Sequence, residues 1–460
     1  MARDRSDLLL REPNLYKAFL ILAAPIFGAN FMRAFNELVD TYFIGQTANS
    51  VAAQAGVSIA WPLINIFTSF QAGFAVAGVA VVSQLLGGDR REQARENAGL
   101  LTGVALIFGV VLNVLLYFLA PAVLAAMGAQ GDVLACSVSY VRVRSFELLF
   151  TFLFTAFQAI RQAQGDTVTP VLLSLGAVGL NIVLTAVFVK GMNLGVFGAG
   201  LATTIGNVAI CPLCVYLLFS RRQALYIELK YLRLRREPLA ALTAIATPAA
   251  ASQALSSLGF LVLQAAILSY GDHIVAAFSV GNKVSNILLM PMLALGTVLA
   301  AYVGQNIGAG SGQRARQAYK VSRNVGLVLA IAGSLALFPF RGALAAGLSN
   351  DAATQAACVE YLFWVLLTQP LMSLFQNYLG VFNGSGRTKF SFLMSTMRLW
   401  GVRLPLILFF KTCTDVGPAG VWYAMVISNF VIVLLGMFLL RRVEFTPFAG
   451  LSAQTAEQAE

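Results

Sequence analysis

The sequence predicts an all-α integral membrane protein of twelve transmembrane helices, arranged as two six-helix lobes. Three observations predict this fold class. The chain is 58% hydrophobic and only 11% charged, with a mean hydropathy of +0.77, whereas about a quarter of the residues of a soluble domain are charged. Twelve apolar runs are long enough to cross a bilayer. The two halves of the sequence also repeat each other.

The apolar runs define the helices in order, because a spanning helix needs about 20 mostly apolar residues. Several runs exceed that length, so we expect tilt, kinks or extension into the cytoplasm. The predicted spans are 18–44, 53–86, 97–120, 132–162, 169–190, 197–220, 239–270, 274–307, 322–345, 354–384, 390–411 and 417–440.

The loops between these runs alternate in charge. The loops "GGDRREQARE", "RRQALYIELKYLRLRREP", "GSGQRARQAYK" and "GSGRTK" are basic, whereas "QTANS", "GMNLG" and "GDH" hold almost no lysine or arginine. The positive-inside rule therefore places the basic loops and both termini in the cytoplasm. The net charge of +11 is then an orientation signal rather than a nucleic-acid surface, and we expect no nucleic-acid partner.

The two halves of the chain share residues at a nearly constant offset. The pairs at an offset of 221 are Gln84 with Gln305, Gly87 with Gly308, Ala94 with Ala315, Arg95 with Arg316, Tyr140 with Tyr361, Gly165 with Gly386 and Thr167 with Thr388; those at 222 are Gly198 with Gly420, Ala202 with Ala424 and Asn207 with Asn429. Such self-similarity indicates a duplicated architecture. We predict an N-terminal lobe at 1–222, a basic cytoplasmic linker at 223–238 and a C-terminal lobe at 239–460. Because each lobe has six spans, both enter the membrane in the same sense.

Three motifs in this order resemble one known family. They are "ELVDTYFIG" in the first span, "QAQGDTVTP" between the fourth and fifth spans, and "GQNIGAG" after the eighth. They are similar to the multidrug and toxic compound extrusion (MATE) family, and to its DinF-like branch. The resemblance covers the chain from about Pro25 to Asn429. It implies a V-shaped pair of lobes that exports amphipathic, often cationic compounds, driven by inward flow of H+ or Na+.

The resemblance also implies a cation-coupling site in the N-terminal lobe. The family's first-span aspartate falls on Asp40, its helix-bending proline on Pro25, its fifth-span asparagine on Asn181 and its sixth-span threonine on Thr203. A second aspartate of the branch is replaced here by Thr185. Since one carboxylate suits a proton better than Na+, we favour H+. A Na+ ion held by Asp40, Asn181 and Thr203 is the alternative.

The residues themselves point to the same carboxylate. Arg33, Glu37 and Asp40 follow i, i+4, i+7 spacing and share one helical face. A charge within the membrane costs several kcal/mol unless it meets a partner or a watery cavity. Arg33 and Glu37 can neutralise each other, which leaves Asp40 without a counter-ion nearby in sequence. Apolar surroundings would favour the protonated form of such a carboxyl.

The depth of the polar residues favours a common pocket. Counted from the predicted helix ends, Asp40, Thr185 and Thr203 lie about 7–9 Å below the outer surface, and Asn181 lies one turn deeper. Polar residues within spans also form structural contacts between helices. A polar residue type alone therefore does not distinguish a cavity-lining role from a structural one in the secondary candidates. These secondary candidates are Arg33, Asn36, Glu37, Lys283 and Arg398.

Other charged residues within the spans allow two interpretations. Lys283, Arg398 and Arg403 either face the central cavity or bind helix-end carbonyls. Glu147 is interpreted as a counter-charge to Arg144.

Other functions are weaker predictions. A flippase for lipid-linked oligosaccharides or polyprenyl lipids, from the same superfamily, is the alternative, because Lys283, Arg398 and Arg403 offer cations for a pyrophosphate. One histidine, no H-E-x-x-H and no G-x-S-x-G argue against an enzyme or a catalytic metal. We expect no cofactor beyond H+ or Na+. We expect a monomer in a bacterial cytoplasmic (inner) membrane.

Overall fold

The computed structural model describes residues 9–45, 50–232, 235–348 and 351–448. The predicted outer loop "QTANS" and parts of the predicted linker and C-terminal lobe therefore fall partly outside the described residues. Within them, twelve helices are long and apolar enough to cross a membrane. They are α1 (Leu15–Ile44), α2 (Ala52–Gly87), α3 (Arg91–Ala126), α4 (Gly131–Ala163), α5 (Val168–Gly191), α6 (Gly195–Phe219), α7 (Arg236–Leu268), α8 (His273–Gly308), α9 (Gly312–Gly347), α10 (Ala352–Gly384), α11 (Thr388–Cys413) and α12 (Ala419–Arg441).

The predicted spans agree closely with these helices at every end except in α3 and α9. Helix α9 begins at Gly312 rather than 322. Its first turns are amphipathic, with Ala315 and Ala318 buried while Arg316 and Gln317 are exposed. The charged residues there belong to the same helix, so hydropathy alone placed the start of the span too late. Helix α3 is extended at both ends.

Two spanning helices contain π-helical segments. They occur at Ala186–Gly191 in α5 and at Met397–Arg403 in α11. A π-helical turn accommodates one additional residue without ending the helix, and it often lies near functional residues. The segment in α11 carries both of the arginines that the sequence analysis singled out.

Helix α1 contacts both halves of the chain. Before Pro25 its buried face, including Phe19 and Leu22, belongs to the same hydrophobic cluster as α8 residues such as Tyr302, whose ring stacks on Phe19 at 5.2 Å between centroids. After Pro25 the same helix reaches α5, where Arg33 contacts Ser174. Pro25 therefore lies near the point at which α1 changes partners.

The two halves meet through a reciprocal contact at the ends of α2 and α8. The Gln84 Nε2 atom donates to the Gly384 carbonyl at 3.0 Å, and the Gln305 Nε2 atom donates to the Ala163 carbonyl at 2.5 Å. Gln305 and Gly384 are the repeat partners of Gln84 and Ala163 at the offset of 221, so the repeat relates the two hydrogen bonds. We call them the reciprocal glutamine contact.

Two glycines permit the close approach of these helices. A Cβ atom at Gly87 would collide with the Gln305 backbone, and one at Gly308 would collide with the Gln84 backbone. The two glycines are again repeat partners at the same offset. The requirement for no side chain at either position explains both glycines of the repeat.

The linker packs along α3 over the part of it that the structure describes. Leu225, Ile227 and Tyr231 are buried in the hydrophobic core of the N-terminal half. The Tyr231 hydroxyl hydrogen bonds to Glu92, and a Cβ atom at Gly99 would collide with Tyr231. The basic connection is therefore part of the packed N-terminal half, while the domain boundaries themselves stay a prediction.

Candidate functional site

The carboxylate of Asp40 is half-buried near the C-terminal end of α1 and has two hydrogen-bond partners. The Thr185 hydroxyl of α5 donates to its Oδ1 atom at 3.3 Å, and the Asn36 amide, one turn earlier on α1, donates to Oδ2 at 3.4 Å. Thr185 is fully buried. Because α1 packs on α5 here, the i, i+4 spacing of Asn36 and Asp40 places both on the side that faces the bundle.

Asn181 and Thr203 form a second pair one turn away along α5. The Asn181 Nδ2 atom donates to the Thr203 hydroxyl at 3.0 Å, and that hydroxyl donates in turn to the Ala199 carbonyl at 3.1 Å. Asn181 is 3% exposed. Asn181 and Thr185 have i, i+4 spacing on one helix, so their side chains lie on the same face. The structure thus places all four predicted coupling residues side by side.

Helix α4 adds charges that the sequence analysis treated as a separate structural pair. Arg144 forms an ion pair with Glu147 at 2.6 Å, and the Asn207 amide of α6 donates to the other Glu147 oxygen at 2.9 Å. The Arg144 guanidinium also interacts electrostatically with Asp40 and Glu37. Glu147 is the counter-charge of Arg144, as predicted.

Asp40 lacks a counter-ion nearby in sequence, but it has a positive neighbour on another helix. Its positive neighbour is Arg144, which comes from α4 and is far from Asp40 along the chain. Spacing along α1 could not reveal it. Asn207 was not predicted as a site residue, although its place in the repeat marks it out.

The N-terminal charge cluster consists of Arg33, Glu37, Asp40, Arg144 and Glu147. Arg33 and Glu37 interact electrostatically, and Arg33, which is exposed at the surface of the bundle, donates to Ser174 at 3.4 Å. With two basic and three acidic groups, the fully ionised cluster carries a net charge of −1. Taking up one proton makes it neutral. A cluster of this kind can exchange one positive charge for another.

Two buried oxygens bear on the alternative of Na+. The Oδ1 atoms of Asn181 and Asn36 are buried and accept no hydrogen bond from a described residue. Together with the Asp40 carboxylate and the Thr203 hydroxyl they supply oxygen atoms of the kind that hard cations prefer. Among the described residues no group of three or more His, Cys, Asp or Glu side chains is placed to bind a metal. The chemistry of these oxygen atoms suits a monovalent cation as well as a proton.

Pro25 lies within α1, which continues through it as an α-helix. Its missing N–H group leaves the carbonyl one turn earlier without its helical donor. Pro25 precedes Asp40 by about four helical turns, roughly 22 Å along the axis. Proline at this position is where the helix can bend most easily.

The predicted basic residues of the C-terminal half differ in environment. Lys283 on α8 is exposed, whereas Arg398 and Arg403 on α11 are 8% and 6% exposed. None of the three contacts the N-terminal charge cluster in the described contacts. They do not belong to the same site as Asp40.

Comparison with known proteins bears on the identity of the chain. The profile of the MatE family matches residues 25–187 and again 248–409, so the two halves match the same profile. "Probable multidrug resistance protein YoeA" of Bacillus subtilis (strain 168) is 24% identical over 418 residues, which cover 89% of this chain and 90% of that protein. "Multidrug export protein MepA" of Staphylococcus aureus (strain NCTC 8325 / PS 47) is 23% identical over 445 residues, covering 95% and 96%.

A solved structure has the same fold. The structure described as "Outward-facing conformation of a multidrug resistance MATE family transporter of the MOP superfamily" superposes with a TM-score of 0.89 at 22% identity, over 96% of this chain and 98% of that one. The duplicated profile match covers well over half of the chain. The chain therefore belongs to the MatE family, the multidrug and toxic compound extrusion transporters, whose members are transporters and not enzymes.

Proposed function

We propose that this protein exports amphipathic, cationic compounds across the bacterial cytoplasmic membrane in exchange for protons. The observation that carries the proposal is the half-buried Asp40 carboxylate, hydrogen bonded to Thr185 within a charge cluster of net charge −1. The relatives named as multidrug resistance and export proteins support the substrate class. Orientation with both termini in the cytoplasm, a monomeric state and the DinF-like branch stay predictions.

Competition between charges accounts for the exchange. With Asp40 ionised, the cluster attracts a cation, and a protonated Asp40 removes that attraction. The proton is therefore expected to enter from the outer side as the cationic cargo leaves. A proton or a cargo cation can shift the transporter only if it binds one conformation more tightly than the other.

Helix α1 is the element that would carry this change to the rest of the protein. The outer part of α1 holds Asp40 against α5, while its inner part, with Phe19 and Leu22, packs on α8. When protonation alters the hydrogen bonds of Asp40, the outer part is free to move relative to the inner part. Pro25 lies between them and absorbs the bend.

The test is efflux from proteoliposomes that are loaded with a cationic dye and driven by a pH gradient or by a Na+ gradient. Wild-type protein should respond to the pH gradient, and Asp40→Asn should reduce that response to the passive leak. Asp415→Asn is the matched control, since Asp415 is exposed after α11. Efflux by Asp40→Asn at the wild-type rate would refute the proposal. A response to the Na+ gradient alone would assign the coupling ion as Na+.

A flippase for polyprenyl-linked lipids is the second candidate, and the buried Arg398 and Arg403 favour it. Guanidinium groups bind phosphate oxygens through paired hydrogen bonds. Tight binding of a polyprenyl pyrophosphate to the purified protein, with no binding of a cationic dye, would favour this candidate over drug export.

A further inference from the structure

Two arginines are buried in the C-terminal half on the π-helical segment of α11. The Arg403 Nε atom donates to Ser428 Oγ at 3.0 Å and its Nη2 atom donates to Asn429 Oδ1 at 2.8 Å. Arg398 lies 4.6 Å from the Phe375 ring centroid, and its Nη1 atom contacts Met372 Sδ at 3.3 Å. The Arg398 Nε atom is buried and has no hydrogen-bond acceptor among the described residues.

These guanidinium groups have no described carboxylate partner. From 239 to 441 the sequence contains four acidic residues, Asp272, Asp351, Glu360 and Asp415. Only Glu360 lies within a spanning helix, and it is exposed. No ion pair involves either arginine in the described part of the chain. Arginine stays charged in proteins, and removing a charge from water costs several kcal/mol unless an opposite charge compensates.

The internal repeat relates Arg403 to Asn181 of the coupling site. The second profile match begins at an offset of 223 from the first and ends at an offset of 222, and Arg403 is the partner of Asn181 at the offset of 222. The contacts agree with that pairing. In the N-terminal half a Cβ atom at Gly206 would touch the Asn181 Cβ, and in the C-terminal half Ser428, the partner of Gly206 at the same offset, contacts Arg403.

The same comparison shows that the two half-sites have opposite polarity. Asn207 donates its amide to Glu147, whereas its repeat partner Asn429 accepts from Arg403. At an offset of 221 Glu147 corresponds to Thr368, and at the offset of 223 at which the matches begin Asp40 corresponds to Leu263. At these positions the C-terminal half-site therefore has no carboxylate and instead carries a guanidinium.

We propose that Arg398 and Arg403 form a binding site for the anionic group, a carboxylate or phosphate, of an amphipathic molecule. Guanidinium groups match both anions through paired hydrogen bonds, and the apolar Met372 and Phe375 beside Arg398 suit the adjoining hydrocarbon. This inference rests on the proposed transport of amphipathic compounds. It extends the range to zwitterionic cargo, with the cationic part in the N-terminal half and the anionic part in the C-terminal half.

Binding to purified protein tests this site without depending on coupled transport. The protein is placed in phosphatidylcholine nanodiscs, and its affinities for dodecyl phosphate and for dodecyltrimethylammonium are measured. Arg398→Gln with Arg403→Gln should weaken dodecyl phosphate binding by at least about 30-fold, the loss expected for a single charge-assisted hydrogen bond. The affinity for dodecyltrimethylammonium should not fall. Arg142→Gln, at an exposed arginine of α4, is the matched control.

Further arms identify the natural source of the anion. Competition by phosphatidylglycerol in the nanodisc assigns the site to a lipid head group, and competition by inorganic phosphate assigns it to a free anion. If neither phosphatidylglycerol nor inorganic phosphate competes, the site is assigned to cargo.

Since the double variant removes two buried groups, Arg403→Lys is measured as well. This variant keeps the charge but loses the paired geometry, so its affinity for dodecyl phosphate should be intermediate. Unchanged dodecyl phosphate affinity in these variants, equal loss for both amphiphiles, or no binding to wild type would overturn the proposal. Such a result would not contradict the proposed export of cations, which is tested separately by efflux of a cationic dye.

Discussion

Replacing Gln305 with alanine should open the face of the protein that is predicted to be cytoplasmic. Gln305 is fully buried, and its side chain donates to the Ala163 carbonyl at the end of α4. Alanine leaves that carbonyl without its donor, at a cost of about 1–3 kcal/mol. In an open conformation water satisfies the carbonyl, so the cost falls on the closed conformation alone. The ratio of open to closed protein should then rise about 5- to 150-fold.

Chemical labelling of a buried position reports this change. Ser385, next to the Gly384 carbonyl of the reciprocal glutamine contact, is 1% exposed. It is replaced by cysteine in a background in which Cys136 and Cys413, the two free cysteines that are not buried, are serine. A membrane-impermeant maleimide is applied from the cytoplasmic side. The labelling rate should rise with the open fraction, because modification follows the population of the open form.

The matched control is Gln317→Ala, which truncates an exposed glutamine on α9. Gln84→Ala should act at least as strongly as Gln305→Ala, because the Gln84 Oε1 atom also accepts from the Phe448 backbone N–H at 3.0 Å. If Gln305→Ala labels no faster than Gln317→Ala, the reciprocal glutamine contact does not hold the halves together.

Three further predictions concern other parts of the structure. Gly308→Val should raise the same labelling rate, because its side chain would collide with the Gln84 backbone; unchanged labelling would contradict the steric argument. Glu147→Gln should lower the apparent Tm, since it removes the ion-pair partner of the half-buried Arg144 at a cost of up to about 3–5 kcal/mol, and Glu147→Gln with Arg144→Gln should recover only part of that loss, because it also removes the positive neighbour of Asp40. Hydrogen bonds from Thr354 hold the pKa of Asp351 below its ordinary range, so its stabilisation is present at neutral pH and is lost as pH falls through that lowered pKa. Asp351→Ala should therefore lower the Tm at pH 7, and its effect should shrink as the pH falls through that lowered pKa.

Most of the fold could be predicted from the sequence because its strongest signal, the hydropathy of each span, does not depend on tertiary contacts. Hydropathy placed all twelve spans, since lipid requires a continuous apolar run in each. It failed at the start of α9, where the exposed Arg316 and Gln317 belong to the helix. There the amphipathic pattern, rather than hydropathy, would have given the boundary. The repeat was detectable because Gly87 and Gly308 are each required by the backbone of the other half.

The candidate site was only partly accessible. The residues Asp40, Asn181, Thr185 and Thr203 were predicted as a group, and the structure places them in two adjacent hydrogen-bonded pairs. The influence of Arg144 on Asp40 was not predictable from spacing, because it depends on how α4 is rotated against α1. Rotation about a helix axis is set by packing of many side chains, and a charged pair at i, i+3 satisfies its own local rule without revealing a third partner.

Duplication explains why the two halves share residues at the reciprocal glutamine contact and differ at the half-sites around Asn181 and Arg403. The reciprocal glutamine contact joins the halves to each other, so a change in either glutamine disturbs both, and each half keeps the same residues. The half-sites around Asn181 and Arg403 each lie within one half, where nothing requires them to match. The offset changes from 221 at Thr167 and Thr388 to 222 at Asn181 and Arg403, which means one additional residue in the C-terminal half. A π-helical turn such as Met397–Arg403 accommodates one additional residue. The same helix framework can therefore present a carboxylate in one half and a guanidinium in the other.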